Sequence, residues 1–149
     1  MKGRTFLIGS ALLLAAFTVG LWYTQFYAWY EELPQQPLFI ADREVAVESW
    51  QAIDGASSPL KLRICVTVTP ETATRLANIL EVSEPGDPLV PPDWFDCFNA
   101  KEISRDMEAG RATFHILGPS SFDGVMDVMA LYPDGRAFLW RELDERFRK

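Results

Sequence analysis

The chain has a single histidine, His115, which is the first residue to test for a catalytic role. It lies between two apolar residues in a segment whose alternation predicts a strand. A serine hydrolase needs a nucleophile bonded to such a base and a carboxylate that orients it. Ser120, Ser121 and Asp123 follow closely, but no nucleophile elbow surrounds them. We therefore expect His115 to be a packing or surface residue.

Carboxylates are the second group that could carry chemistry, because two of them can act as general acid and base in sugar hydrolysis. Candidates in loop-like segments are Asp93, Asp96, Asp123, Asp127 and Asp134. Their spacing matches no EF-hand, and the chain has no Gly-rich phosphate loop. The sequence thus predicts no catalytic group, no metal site and no cofactor. A small periplasmic hydrolase that uses loop carboxylates or His115 remains the alternative.

The two cysteines, Cys65 and Cys97, allow one intramolecular bridge. Disulfides persist in oxidising compartments outside the cytosol. Closing a loop of this length removes unfolded-chain entropy worth roughly 3–4 kcal/mol. Neither cysteine lies in a CxxC motif, so the spacing supports no redox or zinc role. We predict the bridge, and two buried free thiols are the alternative.

An aromatic cluster precedes and follows the second cysteine. Trp94, Phe95 and Asp96 form a candidate contact patch for a protein partner, since large aromatic residues anchor interfaces. The other reading is a loop that its rings pin into the core.

Residues 5–30 contain no charged side chain. A transmembrane helix needs about 20 mostly apolar residues, so this segment is long enough to cross a bilayer. Aromatic rings with a polar edge favour the headgroup level. The segment ends in such rings, and we predict that they lie at the membrane interface: Trp22, Tyr23, Tyr27, Trp29 and Tyr30.

The charges around the apolar segment predict its direction. Lys2 and Arg4 precede it, whereas Glu31 and Glu32 follow it. Basic residues stay on the cytoplasmic side, so residues 1–4 should be cytoplasmic, residues 5–30 a transmembrane helix in the inner membrane, and the domain after them periplasmic. A cleaved signal peptide is the alternative, but residues 25–30 are too bulky for a typical cleavage site.

The remainder of the chain predicts one α+β domain. Residues 31–42, with Pro34 and Pro37, should form a juxtamembrane connector, and residues 43–149 the outward-facing domain. The acidic balance, with a pI of about 4.7, argues against nucleic acid as a partner. Small residues spaced by four in the apolar segment leave a helix-mediated homodimer open.

Periodicity indicates the elements of this domain. Residues 60–68 alternate as a strand that points Cys65 away from its apolar face. Thr69 and Asn99 are N-cap candidates for two helices. Strand-like runs flank the turn 133–136 as in a hairpin. The order of strands, two helices and three strands suggests that both helices pack on one face of a mainly antiparallel sheet.

Several segments together resemble a known family: the single apolar segment that ends in Tyr and Trp, residues 57–60 leading to Arg63 and Cys65, residues 94–98, and residues 132–136. The combination is similar to a small bacterial family of uncharacterised single-pass membrane proteins, a domain of unknown function that automated labels sometimes call histidine kinase. This resemblance implies no activity and no functional residue.

A histidine kinase needs a phosphoacceptor helix and a separate ATP-binding domain, for which 149 residues with one strand-like histidine are too few. We therefore expect a membrane-anchored binding or accessory module of the cell envelope. The membrane is one partner, and an unidentified protein is the other.

Overall fold

The chain begins with one long helix and continues into an α+β domain. The computed structural model describes residues 2–147, and the predicted boundaries at residues 1 and 149 lie outside that range. Helix α1 runs over Lys2–Phe26. Its part Gly3–Phe26 is long and apolar enough to cross a membrane. No residue of this part is buried against the rest of the protein.

Within residues 2–147, eight strands follow α1, and all their pairings are antiparallel. In chain order they are β1 Glu31–Glu32, β2 Leu38–Ile40, β3 Arg43–Val45, β4 Ser49–Asp54, β5 Arg63–Thr67, β6 Thr113–Pro119, β7 Val125–Leu131 and β8 Arg136–Leu143. Six of them form one sheet in the order β1-β4-β5-β8-β7-β6, and β2 with β3 forms a separate hairpin. The predicted α+β class with a mainly antiparallel sheet and two helices in the domain is confirmed.

The two domain helices are α2, Pro70–Ile79, and α3, Ala100–Glu108. Both start at the predicted caps, where a side-chain oxygen accepts a free backbone N–H. Thr69 Oγ1 accepts from the amide of Thr72 at 3.2 Å, and Asn99 Oδ1 accepts from the amide of Glu102 at 3.1 Å.

The helices lie on opposite faces of the sheet, so the prediction of a single covered face is wrong. We call the face that carries Ile64 and Leu139 the hairpin face, because α2 and the β2–β3 hairpin cover it. We call the face that carries Cys65 and Trp140 the disulfide face, because α3 and the segment bearing Cys97 cover it. Successive strand residues point to opposite faces. Since both sets are apolar here, each face needs its own cover.

The predicted bridge between Cys65 and Cys97 is present. Cys65 points to the face opposite Ile64, as the alternation of the strand indicates, and a loop delivers Cys97 to it. The bridge therefore ties the segment before α3 directly to the middle of the sheet.

The segment predicted as a connector contains β1 and β2, and its Leu38 and Ile40 are buried. The predicted strand at residues 43–50 is interrupted at residues 46–48, where β3 has ended and β4 has not begun. The turn between β2 and β3 places two non-glycine residues, Ala41 and Asp42, at positive φ (50° and 59°).

Candidate functional site at the junction of helix and domain

The end of α1 rests on a tryptophan that lies 68 residues further along the chain. Trp94 donates its indole N–H to the carbonyl of Phe26 at 2.7 Å. The ring of Trp94 also stacks on Tyr27, with centroids 6.0 Å apart and planes 13° apart, and meets Tyr30 edge-on at 6.3 Å. A hydrogen bond at a helix terminus satisfies a carbonyl that has no partner within the helix. We call this contact the junction.

A loop held at both ends positions Trp94. At its start, the guanidinium of Arg63 donates to the carbonyl of Leu89 at 2.9 Å. At its end, Cys97 is bonded to β5. Between them Phe95 is buried, at 7% exposure, and packs on the disulfide face. Because these three attachments hold the loop to the sheet, Trp94 has a defined position to offer to α1.

Arg63 is a buried cation whose role in holding this loop has no signal in the sequence. Its side chain donates to backbone carbonyls of Leu60, Leu62 and Leu89 at 2.6–2.9 Å, and its guanidinium carbon lies 5.5 Å from the ring centre of Phe98. Burial lowers the pKa of Arg63 to about 10, so the side chain keeps its charge at neutral pH. No sequence pattern marks this role, because the acceptors are carbonyls that every residue possesses.

A second side of the junction is formed by the start of the sheet. The strand β1 starts shortly after the end of α1, and its Glu31 pairs with Asp54 at the end of β4. Lys61 lies with its ammonium 4.5 Å from the ring centre of Tyr30. Gly55 approaches the carbonyl of Trp29 so closely that a Cβ at this position would clash with it. Helix and domain therefore meet through several segments rather than through a single tether.

The residues predicted for the membrane interface cluster around the same point. Tyr27 stacks on Tyr23, with centroids 5.9 Å apart, and packs against Trp22 at 5.2 Å. Trp22, Tyr23 and Trp29 are half-exposed or more, whereas Tyr30 is half-buried. Their location at a bilayer surface remains a prediction.

The predicted contact patch does not form one surface. Trp94 is half-buried at the junction, Phe95 is in the core and Asp96 is exposed. Phe95 pins the loop into the core, as the second reading expects, and Trp94 contacts another segment of the same chain. A role in contacting a separate protein remains a prediction.

Two carboxylates converge on Arg141 of β8 near the same end of the sheet. Its Nη1 lies 3.1 Å from Asp54 Oδ2, and its Nε lies 3.3 Å from Asp127 Oδ1. The ring of Phe122 covers the guanidinium at 5.1 Å. Burial raises the pKa of Asp127, and the Asp54 carboxylate adds to the rise, while Arg141 opposes it. An open cleft of about 220 Å³ adjoins Asp127 and Arg141.

A separate ionic group lies at the opposite end of the sheet. Tyr132 donates its hydroxyl to Asp106 Oδ2 at 2.7 Å, and Arg111 Nη2 lies 2.5 Å from Asp106 Oδ1. The hydrogen bond from Tyr132 and then that from Arg111 lower the pKa of Asp106. Burial and the adjacent carboxylate raise the pKa of Tyr132. Each charge in this group has a partner. The hydrogen bond from Tyr132 to Asp106 holds α3 against the sheet.

His115 is fully buried in β6, at 0% exposure. Its Nδ1 lies 2.9 Å from the carbonyl of Glu81 and its Nε2 lies 2.8 Å from Thr113 Oγ1. A carbonyl only accepts, so Nδ1 carries the proton and Nε2 accepts from the hydroxyl of Thr113. Both nitrogens are occupied and screened from solvent, as expected for a packing residue.

Among residues 2–147, no group of three or more His, Cys, Asp or Glu side chains is arranged to hold a metal ion.

Comparison with known proteins identifies one family. Residues 38–149 match the model of a family of unknown function, DUF6446. The matched range starts at β2, so it contains nearly all of the domain and leaves out α1. No curated protein and no solved structure matches the chain.

Proposed function

The chain belongs to DUF6446, a family of unknown function, and we propose that it is a single-pass membrane protein whose domain acts by binding outside the cytosol. The observation that carries the proposal is α1: an apolar helix long enough to cross a bilayer, unburied by the domain and ending in aromatic residues. We propose that α1 is kept as an anchor, with residues 1–4 in the cytoplasm.

The cystine supports an outward location for the domain. A disulfide between Cys65 and Cys97 persists in an oxidising compartment and is reduced in most cytosols. The charge difference between the two ends of α1 points the same way, because Arg4 lies in its first turn and Glu31 follows its last residue.

Binding, rather than catalysis, fits the side chains of the domain. The single histidine is sequestered in β6, and Asp106 and Arg141 are engaged in ion pairs that hold elements together. We propose that the domain is an accessory module of the envelope that recruits a protein partner to the membrane surface.

Thiol state and reporter activity test the topology in cells. We expect the full chain, alkylated in denaturant without reduction, to expose no reactive thiol. A C-terminal alkaline phosphatase fusion should be active and a cytosol-dependent fluorescent fusion dark. Two titratable thiols together with a fluorescent C-terminus would refute the outward location. N-terminal sequencing of the membrane fraction separates the anchor from a cleaved leader.

Crosslinking in membranes tests the binding role. We expect a defined partner to be captured by the full chain and to be absent from a matched strain that lacks it. Repeated capture of no protein from intact membranes, at several crosslinker positions on the domain, would count against an accessory module.

The convergence of Asp54 and Asp127 on Arg141 favours a second candidate, a hydrolase in which the raised pKa of Asp127 suits a general acid. Turnover of chromogenic glycosides by the full chain in detergent, abolished in Asp127→Asn and retained in the surface variant Asp123→Asn, would establish it. Equal residual rates in both variants would exclude Asp127 as the acid.

A further inference from the structure

We propose that the segment Leu89–Trp94, which we call the 89–94 loop, lies in the headgroup layer of the bilayer that α1 crosses, so that the domain sits on the membrane surface in one orientation. The 89–94 loop would thus contact lipid headgroups. The inference rests on the proposed anchoring of α1 and adds a second membrane contact to it.

The depth of Trp94 follows from its contacts. A membrane-crossing helix that ends in Tyr and Trp places those rings at the headgroup level. Trp94 hydrogen-bonds to the carbonyl of Phe26, the last residue of α1, and stacks on Tyr27. A ring in direct contact with both residues must share their depth.

The composition of the loop suits this environment. Val90 is 77% exposed and Leu89 is 44% exposed, so the loop presents two apolar side chains beside Trp94. Pro91 and Pro92 have no backbone N–H, so the loop has two fewer backbone donors that need a partner at the membrane surface.

The orientation of the sheet points the same end of the domain toward the bilayer. The chain enters the sheet where Glu31 pairs with Asp54. The register of the strands brings the β6–β7 loop and the segment after β8 to that same end. These segments expose Phe122 at 46% and Phe147 at 55%. The opposite end carries the turn between β7 and β8, with the exposed charges of Asp134 and Arg136.

The charges around the junction limit how deep the loop lies. Four exposed carboxylates lie there: Glu31, Glu32, Asp93 and Asp96. The ammonium of Lys61 lies over the ring of Tyr30. Carboxylates are costly in the hydrocarbon core and are repelled by anionic lipids. The loop should therefore stay at headgroup depth and bind zwitterionic bilayers without a requirement for anionic lipid.

A spin label on the loop tests the proposal, because both native cysteines are bonded to each other and an introduced thiol is the single labelling site. The full chain is reconstituted in phosphatidylcholine vesicles with a label at Val90→Cys. Relaxation by oxygen, which concentrates in lipid, is compared with relaxation by a water-soluble nickel complex.

Two matched variants calibrate the measurement. Leu14→Cys labels the middle of α1. Val82→Cys labels another exposed valine, 61% exposed, whose segment runs beside Phe114 of β6, the edge strand farthest from β1. We expect the oxygen-to-nickel ratio at Val90 to be severalfold higher than at Val82 and lower than at Leu14.

The outcomes separate this inference from the anchoring on which it rests. A lipid-like ratio at Leu14 with equal ratios at Val90 and Val82 would overturn the loop contact and leave the anchor intact. A water-like ratio at Leu14 would overturn both. Adding Trp94→Ala to Val90→Cys should move the ratio at Val90 toward that of Val82. Adding Trp94→Phe, which keeps a ring but loses the N–H, should move this ratio less. No change in either variant would refute the role of the junction.

Discussion

The disulfide face and the hairpin face of the sheet are covered by different means. On the disulfide face, aromatic rings interlock: Phe98 meets Trp140 at 6.0 Å and Phe138 at 5.9 Å, both edge-on, and a cystine binds the cover to the sheet. On the hairpin face, aliphatic side chains of α2 and of the β2–β3 hairpin cover the sheet without any covalent link, and the hairpin turn is strained.

The difference coincides with the position of the junction. The cystine and Phe98 belong to the segment that carries Trp94, so the more strongly attached cover is the one that contacts α1. The hydrogen bond and the ring contacts of Trp94 therefore tie the end of α1 to the cover of the disulfide face. The two positive-φ residues lie in the cover of the other face.

Truncation of one core residue on each face should give the largest effects. Phe98→Ala removes a ring that is 2% exposed and should lower the free energy of unfolding by about 4 kcal/mol. Leu76→Ala, at 4% exposure on the hairpin face, should cost about 3 kcal/mol. Urea denaturation measures both. If Leu76→Ala proved the more costly, the hairpin face would be the stronger cover.

Removal of the cystine should have an effect of similar size. Cys65→Ala/Cys97→Ala opens a link between residues 32 apart and should lower the free energy of unfolding by roughly 3–4 kcal/mol. Proteolysis should then cut the 89–94 loop before the β2–β3 hairpin. Reducing agent is the control, because it should weaken the wild type and leave the double variant unchanged. Equal stability of wild type and variant would contradict the account of a covalently held cover.

Relief of strain on the hairpin face should act in the opposite direction. Ala41 and Asp42 adopt the left-handed conformation that two-residue hairpins normally give to Asn and Gly. Ala41→Asn/Asp42→Gly should therefore raise the free energy of unfolding by about 1–2 kcal/mol. Ala41→Val is the matched control and should destabilise. A neutral double variant would show that the turn is not strained.

Local features of this chain could be predicted from sequence, and contacts between distant segments could not. The caps at Thr69 and Asn99 and the turn at residues 133–136 depend on neighbouring residues, so their patterns were sufficient. The pairing of Cys65 with Cys97 followed because only one pairing exists. The placement of α2 and α3 on opposite faces of the sheet could not be predicted. The amphipathic pattern of a helix indicates which side of the helix is buried, but not which face of a sheet it packs on.

The candidate site shows the same division. The aromatic end of α1 and the residue Trp94 both stood out in the sequence, but their contact did not. The acceptor is the backbone carbonyl of Phe26, and a carbonyl carries no residue identity that a pattern could reveal. Arg63 was missed for the same reason, since it binds carbonyls and no carboxylate.

His115 makes a third kind of attachment, one that depends on pH. His115 joins the edge of the sheet to the segment after α2 through the carbonyl of Glu81, and its other nitrogen meets Thr113. Burial lowers the pKa of His115 below its ordinary 6.5, although the hydrogen bond to Glu81 opposes this. The folded state therefore favours the neutral ring.

The sign of the effect follows from proton counting. Below about pH 6.5 the unfolded chain binds a proton that folded His115 resists, so stability falls as the pH drops below that value and is retained above it. Urea denaturation at about pH 7.5 and about pH 5.5 should show this loss in the wild type. His115→Asn, which keeps a donor for the Glu81 carbonyl but does not titrate, should show a smaller loss over the same interval. Because His115 is the one histidine of the chain, the difference between the two proteins reports on that ring alone. An identical pH dependence in both would mean that folding does not lower the pKa of His115.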